Sequence, residues 1–392
     1  MPWKVQRAVD QRGDLLAAYE AGESIAELSR IYGVSRQTIY KWIDRFQQQG
    51  SDGLQDRSCA PLHHPQQHPQ QIRDAVIELR RKHPRWGPRK LKAYLEAETA
   101  NLGWPATSTL GQWLKQEGLA HPRRKRLRTP LMLEPLAHAT EPNQVWCADF
   151  KGWFRTADQQ RIDPLTLTDA VSRYLLRCVA VKKTDTHAVW SVMEAAFREF
   201  GLPQAIRTDN GAPFASPAPA GLSRLALRWI RLGIRPERIE PGKPQQNGRH
   251  ERFHLTLKQE TAMPPQATRP AQQRSFLQFQ KIYNEQRPHE ALHYATPASV
   301  YAASARRMPP RLPEPAFPQG CVTRMISQKG ELKWRGERTF ITEVLSREPV
   351  GLKRADEKYW ELYYGPVLVG WFDPRNYRFH PVHRCPRDLH WD

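Results

Sequence analysis

The stretch QVWCADFKGWFR, residues 144–155, is where the chain changes character. Upstream of it the apolar residues fall at helical spacing between polar linkers; here the period drops to two. Val145, Cys147 and Asp149 share one face of an extended strand. A carboxylate inside an apolar strand is expensive to bury unless it meets a cation or a hydrogen-bond partner. Asp149 is therefore the first acid to isolate. Downstream, RIDPLTLTDAVSRYLLRCVAVKK and PQAIRTDN add further β-rich segments, and THAVWSVMEAAFREFG between them is an amphipathic helix. Strands, a helix, another strand and then more helices predict a mixed α/β domain over residues 143–303.

Bulk properties narrow the partner. Lys and Arg total 60 against 40 acids in 392 residues, a formal charge of +20. Such a balance points to a polyanion without specifying its sequence. Hydrophobic residues make up 39%, enough for real cores. Five scattered cysteines without C-x-x-C spacing argue against both a disulfide framework and a cysteine-rich zinc site. The start MPWKVQRAVD has no apolar signal core, and no apolar run reaches membrane-spanning length. The expectation is a cytoplasmic protein with no membrane partner.

The flanks read as modules. Residues 1–52 predict a helix-turn-helix domain: Leu15, Leu16 and Tyr19 on one helix, Ser24 capping the next, Gly33 at the sharp turn, Ser35 capping a third. The third helix would enter the major groove with Arg36, Gln37, Thr38 and Lys41 exposed. Residues 53–69, rich in Pro, His and Gln, read as a linker; His63, His64 and His68 are read as solvated rather than metal-binding. Residues 70–120 predict a second helix-turn-helix domain, with Lys90, Lys92 and Lys115 as phosphate contacts. A basic linker, 121–142, carries Arg123, Arg124, Lys125 and Arg126, a run expected to follow phosphates and make binding salt-sensitive. A Pro-rich linker, 304–320, leads to short alternating segments over 321–392 that predict a small β-barrel and tail, with turns at Lys329-Gly330 and Tyr364-Gly365-Pro366.

Two more acids complete a set. Asp209, in AIRTDNGAPF, ends a short strand, although an Asp-Asn-Gly turn explains it alone. Glu251, in PGKPQQNGRHERFHLTLKQE (241–260), lies just past the start of a helix, where an acid gains a few tenths of a kcal/mol from the dipole. Three carboxylates converging from a strand interior, a strand end and a helix suit Mg²⁺ or Mn²⁺, and two such ions serve phosphodiester chemistry. Asn247, Glu251, His254 and Lys258 share one helical face; Phe253 and Leu257 should pack inward. Lys258 is placed to meet a DNA-end phosphate or solvent. His254 is left open between DNA contact, orientation of a ligand, and packing.

These residues carry a resemblance. W-x-x-D-F around Asp149, R-T-D-N-G around Asp209, the N-G-R-H-E-R-F-H-x-T-L-K helix around Glu251 and Y-N-E-Q-R-P-H-E-A-L at 283–292 resemble the retroviral-integrase-like core of D-D-E transposases from bacterial insertion sequences. The resemblance implies an RNase H-like core with a mixed five-stranded sheet and helices. It further implies Asp149, Asp209 and Glu251 as ligands of two divalent ions and as catalytic residues. It implies a homo-oligomer that binds double-stranded DNA, namely the element's terminal inverted repeats and a target, then cleaves and joins. The 41 residues between Asp209 and Glu251 exceed the family's usual spacing, and the excess is expected in PFASPAPAGLSRLALRW. Glu237 and Glu240 lie outside the helix motif. Rival readings are a DNA-binding regulator with an inactive core, a DNA-end-bridging protein, and an RNase H-type nuclease.

Overall fold

The structure is a computed structural model that describes residues 8–57, 68–99, 102–120, 136, 139–239 and 248–386. It divides into two units, Met1–Pro69 and Gln70–Asp392. The basic run Arg123–Arg126, with His63 and His64, lies outside the described residues. Among the described residues no helix is long and apolar enough to cross a membrane.

The first unit holds α1 (Ala8–Glu20), α2 (Ile25–Tyr32) and α3 (Arg36–Gln49). Its signals are local side-chain-to-backbone bonds. Ser24 Oγ accepts from Glu27 N and Ser35 Oγ from Thr38 N, each at 3.2 Å, while Gly33 takes the left-handed conformation that ends α2. Leu15, Leu16, Leu28, Ile39, Trp42, Ile43 and Leu54 form the core. Arg12 lies 3.9 Å over the Trp42 ring and bonds Leu54 O and Asp56, so the fold continues past α3. Arg36, Gln37 and Lys41 are exposed on α3, as expected. Thr38 is half-buried, its hydroxyl bonded to Ser35 Oγ at 2.8 Å. Tyr19, read as an apolar-face residue, is 37% exposed, and Tyr40 on α3 is 59% exposed.

The second unit opens with α4 (Gln70–Lys82), α5 (Pro88–Glu98) and α6 (Thr107–Gln116), packed through Val76, Leu79, Trp86, Leu91, Leu110 and Leu114. The central sheet has β1 (Val145–Phe150), β2 (Phe154–Arg155), β3 (Arg161–Asp169), β4 (Leu175–Val181), β5 (Ala205–Thr208) and β6 (Arg235–Arg238). Its path runs β4-β3-β1-β5-β6, with the two-residue β2 added at β3. β1 pairs antiparallel with β3 and parallel with β5, giving the expected five-stranded mixed sheet with one extra short edge. Helices cover both faces. Trp146 and Ala148 face a cluster with α7 (Thr186–Phe200) and α8 (Arg224–Arg231). On the other side α9 (Gly248–Thr261) and α10 (Arg269–Lys281) contribute Phe253, Leu257, Phe276 and Phe279 to a cluster with Leu175 and Cys178. The long segment after Asp209 is no loose insertion: its C-terminal half is α8, which buries Leu225, Trp229 and Ile230. A short helix, α11 (Pro297–Val300), closes the domain.

The C-terminal strands are β7 (Val322–Met325), β8 (Glu331–Trp334), β9 (Glu337–Phe340), β10 (Pro349–Arg354), β11 (Trp360–Tyr364), β12 (Val367–Asp373) and β13 (Arg378–Pro381). The expected barrel does not close. Five strands run in the order β13-β12-β11-β10-β7, and β8-β9 form a separate hairpin. Closure needs a continuous ladder around the ring. β7, β8 and β9 are four residues each, and the β8-β9 hairpin meets the larger sheet only through the Ile326–Leu332 bridge and the Thr339 hydroxyl on Tyr377 O among the described residues. The turns at Gly330 and Gly365 fall where expected.

Residues 304–320 strap this sheet to the core. Arg306 donates to Pro203 O at 2.6 Å and to Leu232 O and Gly233 O at 3.0 Å. Gly201, with positive φ, lets the strap approach: a Cβ there would meet Ser304 O at 2.5 Å. The apolar cluster of α7 and α8 then continues into Leu352, Leu362, Tyr364 and Phe372.

The second helical domain rests on α9 and on the π-turn at Ile282–Gln286. Arg287, 8% exposed, pairs with Glu260 at 2.5 Å. Lys90 lies beside them, half-buried, and desolvation first, then Arg287, holds its ammonium down to about 8. The unfolded chain therefore binds more protons than the folded one between pH 8 and 10.5, so this lysine makes stability rise with pH across that window. Lys90→Met is expected to add about 1–2 kcal/mol at pH 7 after solvent screening and to flatten that rise, read by denaturant unfolding at pH 7, 8.5 and 10. Arg306→Ala is expected to cost about 2 kcal/mol by removing charge-assisted bonds to three carbonyls, read the same way at pH 7.

Candidate active site

Two of the three selected acids are set by the sheet. The parallel register pairs Val145 with Ala205, Trp146 with Ile206 and Cys147 with Arg207. The ladder ends at that pair: Asp149 is the fifth residue of β1, and Asp209 directly follows the C-terminal end of its parallel neighbour β5. That end of a parallel pair is where open α/β sheets bind ligands. Asp209 Oδ1 accepts from Gly211 N at 3.2 Å, and Asn210 donates to Ile239 O at 2.9 Å, so the Asp-Asn-Gly turn fixes the second acid.

The helix α9 crosses the same face. Phe253 and Leu257 anchor it in the core, 8% and 1% exposed. His254, 7% exposed, reaches inward: its Nε2 lies 2.8 Å from the Thr166 hydroxyl and its Nδ1 lies 3.9 Å from Asp149 Oδ2. Thr166 Oγ1 in turn donates to Asp149 O at 3.1 Å. Packing and orientation thus describe His254 better than DNA contact. Glu251 stands one turn before His254 and Lys258 one turn after it; both are exposed. Asn247, expected on this face, lies outside the described residues. Among the described residues, no three His, Cys, Asp or Glu side chains form a group close enough to hold a metal ion.

The field at this face is mixed. Desolvation, His250 and Lys151 lower His254 to about 2, so the imidazole is neutral at any ordinary pH. His250, fully enclosed, is lowered to about 4 by desolvation and Arg173. Desolvation and Lys258 lower Lys151, which Asp149 partly offsets. Lys151 is thus within electrostatic reach of both Lys258 and Asp149. Lys151 and Thr166 were missed in the sequence. Lys151 shares the period-two face of Asp149 and was findable; Thr166 is 88 residues from His254 and was not.

Other acids of the core are committed elsewhere. Asp163 is held by Arg161 at 2.8 Å, and Asp169, 1% exposed, accepts from Asn143 N at 2.7 Å and Ser172 N at 2.8 Å. Glu237 pairs with Arg207 and Arg235, which removes it as an alternative to Glu251.

Of the expected phosphate contacts, Lys90 faces the core and Lys92 pairs with Glu96 at 3.5 Å, while Lys115 is exposed. Lys90, expected as a phosphate contact, is half-buried on the side of the second helical domain near Glu260 and Arg287. A cleft of about 1270 Å³ between this domain and α9–α10 is lined by Arg80, Lys82, Arg85, Arg252 and Arg287 against Glu260.

Profiles described as integrase core domain match residues 139–244 and 232–297. A helix-turn-helix domain profile matches 11–61 and a homeodomain-like domain profile matches 38–114. The chain is 32% identical over 235 residues to the insertion element IS407 uncharacterized 31.7 kDa protein of Burkholderia multivorans, covering 59% of this chain and 80% of that one. It is 29% identical to the insertion element IS476 uncharacterized 39.2 kDa protein of Xanthomonas euvesicatoria, covering 59% and 64%. Transposase InsD for insertion element IS2 of Escherichia coli is 26% identical, covering 55% and 72%. Among solved structures, the HTLV-2 integrase catalytic core domain in complex with magnesium aligns at 16% identity over 41% of this chain and 98% of that one, with a TM-score of 0.34. A likeness of that size carries no argument about chemistry. With two integrase-core profiles over 139–297, a helix-turn-helix domain before them and 32% identity across most of an insertion-element protein, the chain belongs to the insertion-element transposases built on an integrase core.

Proposed function

We propose that this chain moves its own insertion element: it binds the terminal inverted repeats, cleaves them and joins the freed 3′ ends to target DNA. The observation that supports this reading most is that Asp149 lies near the end of β1 and Asp209 just past the end of its parallel neighbour β5, with Glu251 on α9, whose His254 reaches Asp149. Carboxylates are hard oxygen donors, the chemistry that Mg²⁺ and Mn²⁺ prefer. The two aspartates fit such a site; Glu251, on the helix that brings His254 to Asp149, is the third donor in this reading. When bound, two ions there would activate the attacking oxygen and stabilise the leaving oxygen of a phosphodiester.

The protein's own groups do the rest. The rigid sheet holds Asp149 and Asp209 in place, and α9 sets Glu251 by burying Phe253 and Leu257. Lys151 and Lys258 offset the charge of an incoming phosphate. Arg36, Gln37 and Lys41 read base edges from α3, with Thr38 supporting the cap, and the arginines of the cleft at α9 follow backbone phosphates. Water cuts the element end and frees a 3′-hydroxyl; that hydroxyl attacks a target phosphodiester, with no covalent protein intermediate. Two ends must be held together, so the working form is a homo-oligomer on DNA.

Asp149→Asn, Asp209→Asn and Glu251→Gln are each expected to abolish Mg²⁺-dependent cleavage and joining of oligonucleotides bearing the element ends, while gel-shift affinity for those ends stays within about twofold. Undiminished joining in any one of them removes that residue from the site. Arg36→Ala with Lys41→Ala should weaken end binding and lower its salt slope by about 1 for every phosphate that the double variant no longer neutralises.

A further inference from the structure

We propose that Trp153 is a stacking platform for an unpaired base of the DNA strand held at Asp149. The inference deepens the reading of Asp149 as part of a DNA-cutting site and rests on it. Among the described residues Trp153 is the one tryptophan left largely in solvent, 58% exposed. Trp42 shows how a guanidinium covers an indole for the sake of the fold: Arg12 lies 3.9 Å from the ring centre, and the residue is 8% exposed. At Trp153 the guanidiniums of Arg161 and Arg155 stand off at 5.3 and 5.9 Å, and the ring stays open.

The backbone is built to present this ring. Asp149 and Phe150 pair with Thr166 and Leu165 on β3, and Phe154 and Arg155 pair with Ile162 and Arg161. Between those pairs three residues, Lys151 to Trp153, face two, Asp163 and Pro164, so the strand carries one extra residue. That is a β-bulge, which re-aims a side chain, and Gly152, with φ of 83°, makes the bend. The flanking charges are fixed as well. Arg161 donates to the buried Asp163 at 2.8 and 2.9 Å, and Arg155 donates to Gln159 O at 2.8 Å. Those bonds use part of each guanidinium's five donors, and both arginines remain exposed.

An open indole beside anchored guanidiniums suits single-stranded DNA, since the charges track the backbone while the ring stacks on a base. In an intact duplex each base face is covered by its neighbours, so an unpaired base is what such a ring can take. Trp153 follows Asp149 by four residues, at most about 13 Å of extended chain, the length of about four nucleotides. A protein partner fits less well, because interface cores are depleted of charge and the neighbours here are Lys151, Arg155 and Arg161.

The probe is a duplex bearing the element end, with 5-iodouracil placed in turn at unpaired positions near one terminus, irradiated with the full-length protein in EDTA. The expected product is a crosslink to the tryptic peptide 152–155, identified by mass spectrometry, that disappears when the same position is base-paired. In gel shifts Trp153→Ala is expected to bind the unpaired end about tenfold more weakly and the fully paired end within about twofold of wild type, with Trp153→Phe restoring most of the loss. Crosslinks confined to other peptides at every unpaired position overturn the platform, as does a Trp153→Ala that weakens paired and unpaired ends alike. A missing crosslink together with a smaller oligomer of Trp153→Ala in the absence of DNA assigns the ring to a second copy of the chain instead. Undiminished cleavage by Asp149→Asn overturns the reading of the site, and the crosslink, formed without metal, reports on Trp153 separately. The crosslinking arm uses the unaltered protein, so a misfolded variant leaves the test intact.

Discussion

The parallel ladder between β1 and β5 is the constraint on which the rest of the molecule depends. It places Asp149 near the end of β1 and leads β5 directly into the turn that carries Asp209. Everything around the ladder holds that pairing still. Trp146 and Ala148 pack one face of β1 against α7 and α8, while Phe253 and Leu257 bring α9 down on the other. A net charge of +20 makes an acidic island among bases the expected place for a cation-assisted reaction on a polyanion.

The C-terminal strands extend the same core. Because α8 buries Trp229 and Ile230 toward both the central sheet and the strands after residue 321, the long segment following Asp209 is tied into the fold. Arg231 adds to the joint, donating to Pro313 O at 2.7 Å. The segment between Asp209 and Glu251 thus contains a docking helix, and Glu251 lies on α9, which is anchored in a different apolar cluster.

What could be read from the sequence was what local chemistry decides. Ser24, Gly33 and Ser35 announce a helix-turn-helix because their side chains or backbone angles act within four residues. The strand through Asp149 shows in its alternation, but not its burial: Val145–Ala148 are buried on both faces and Asp149 is half-buried. The open C-terminal sheet was not legible, since closure depends on edges far apart in sequence meeting or failing to meet. Nor was Lys90, whose neighbours Glu260 and Arg287 come from elsewhere in the chain. The link from His254 through Thr166 to Asp149 joins three segments that the sequence presents as unrelated.

The central claim of the proposed function is that Asp149, Asp209 and Glu251 together hold the divalent ions. Replacing Mg²⁺ by Fe²⁺ in the full-length protein and generating hydroxyl radicals with ascorbate and peroxide maps that position directly, since the chain is cut where it passes closest to the iron. Cuts at residues near 149, near 209 and within 248–254, all suppressed together by excess Mg²⁺, are the predicted result. Cuts near 149 and 209 with none in 248–254 would contradict the account.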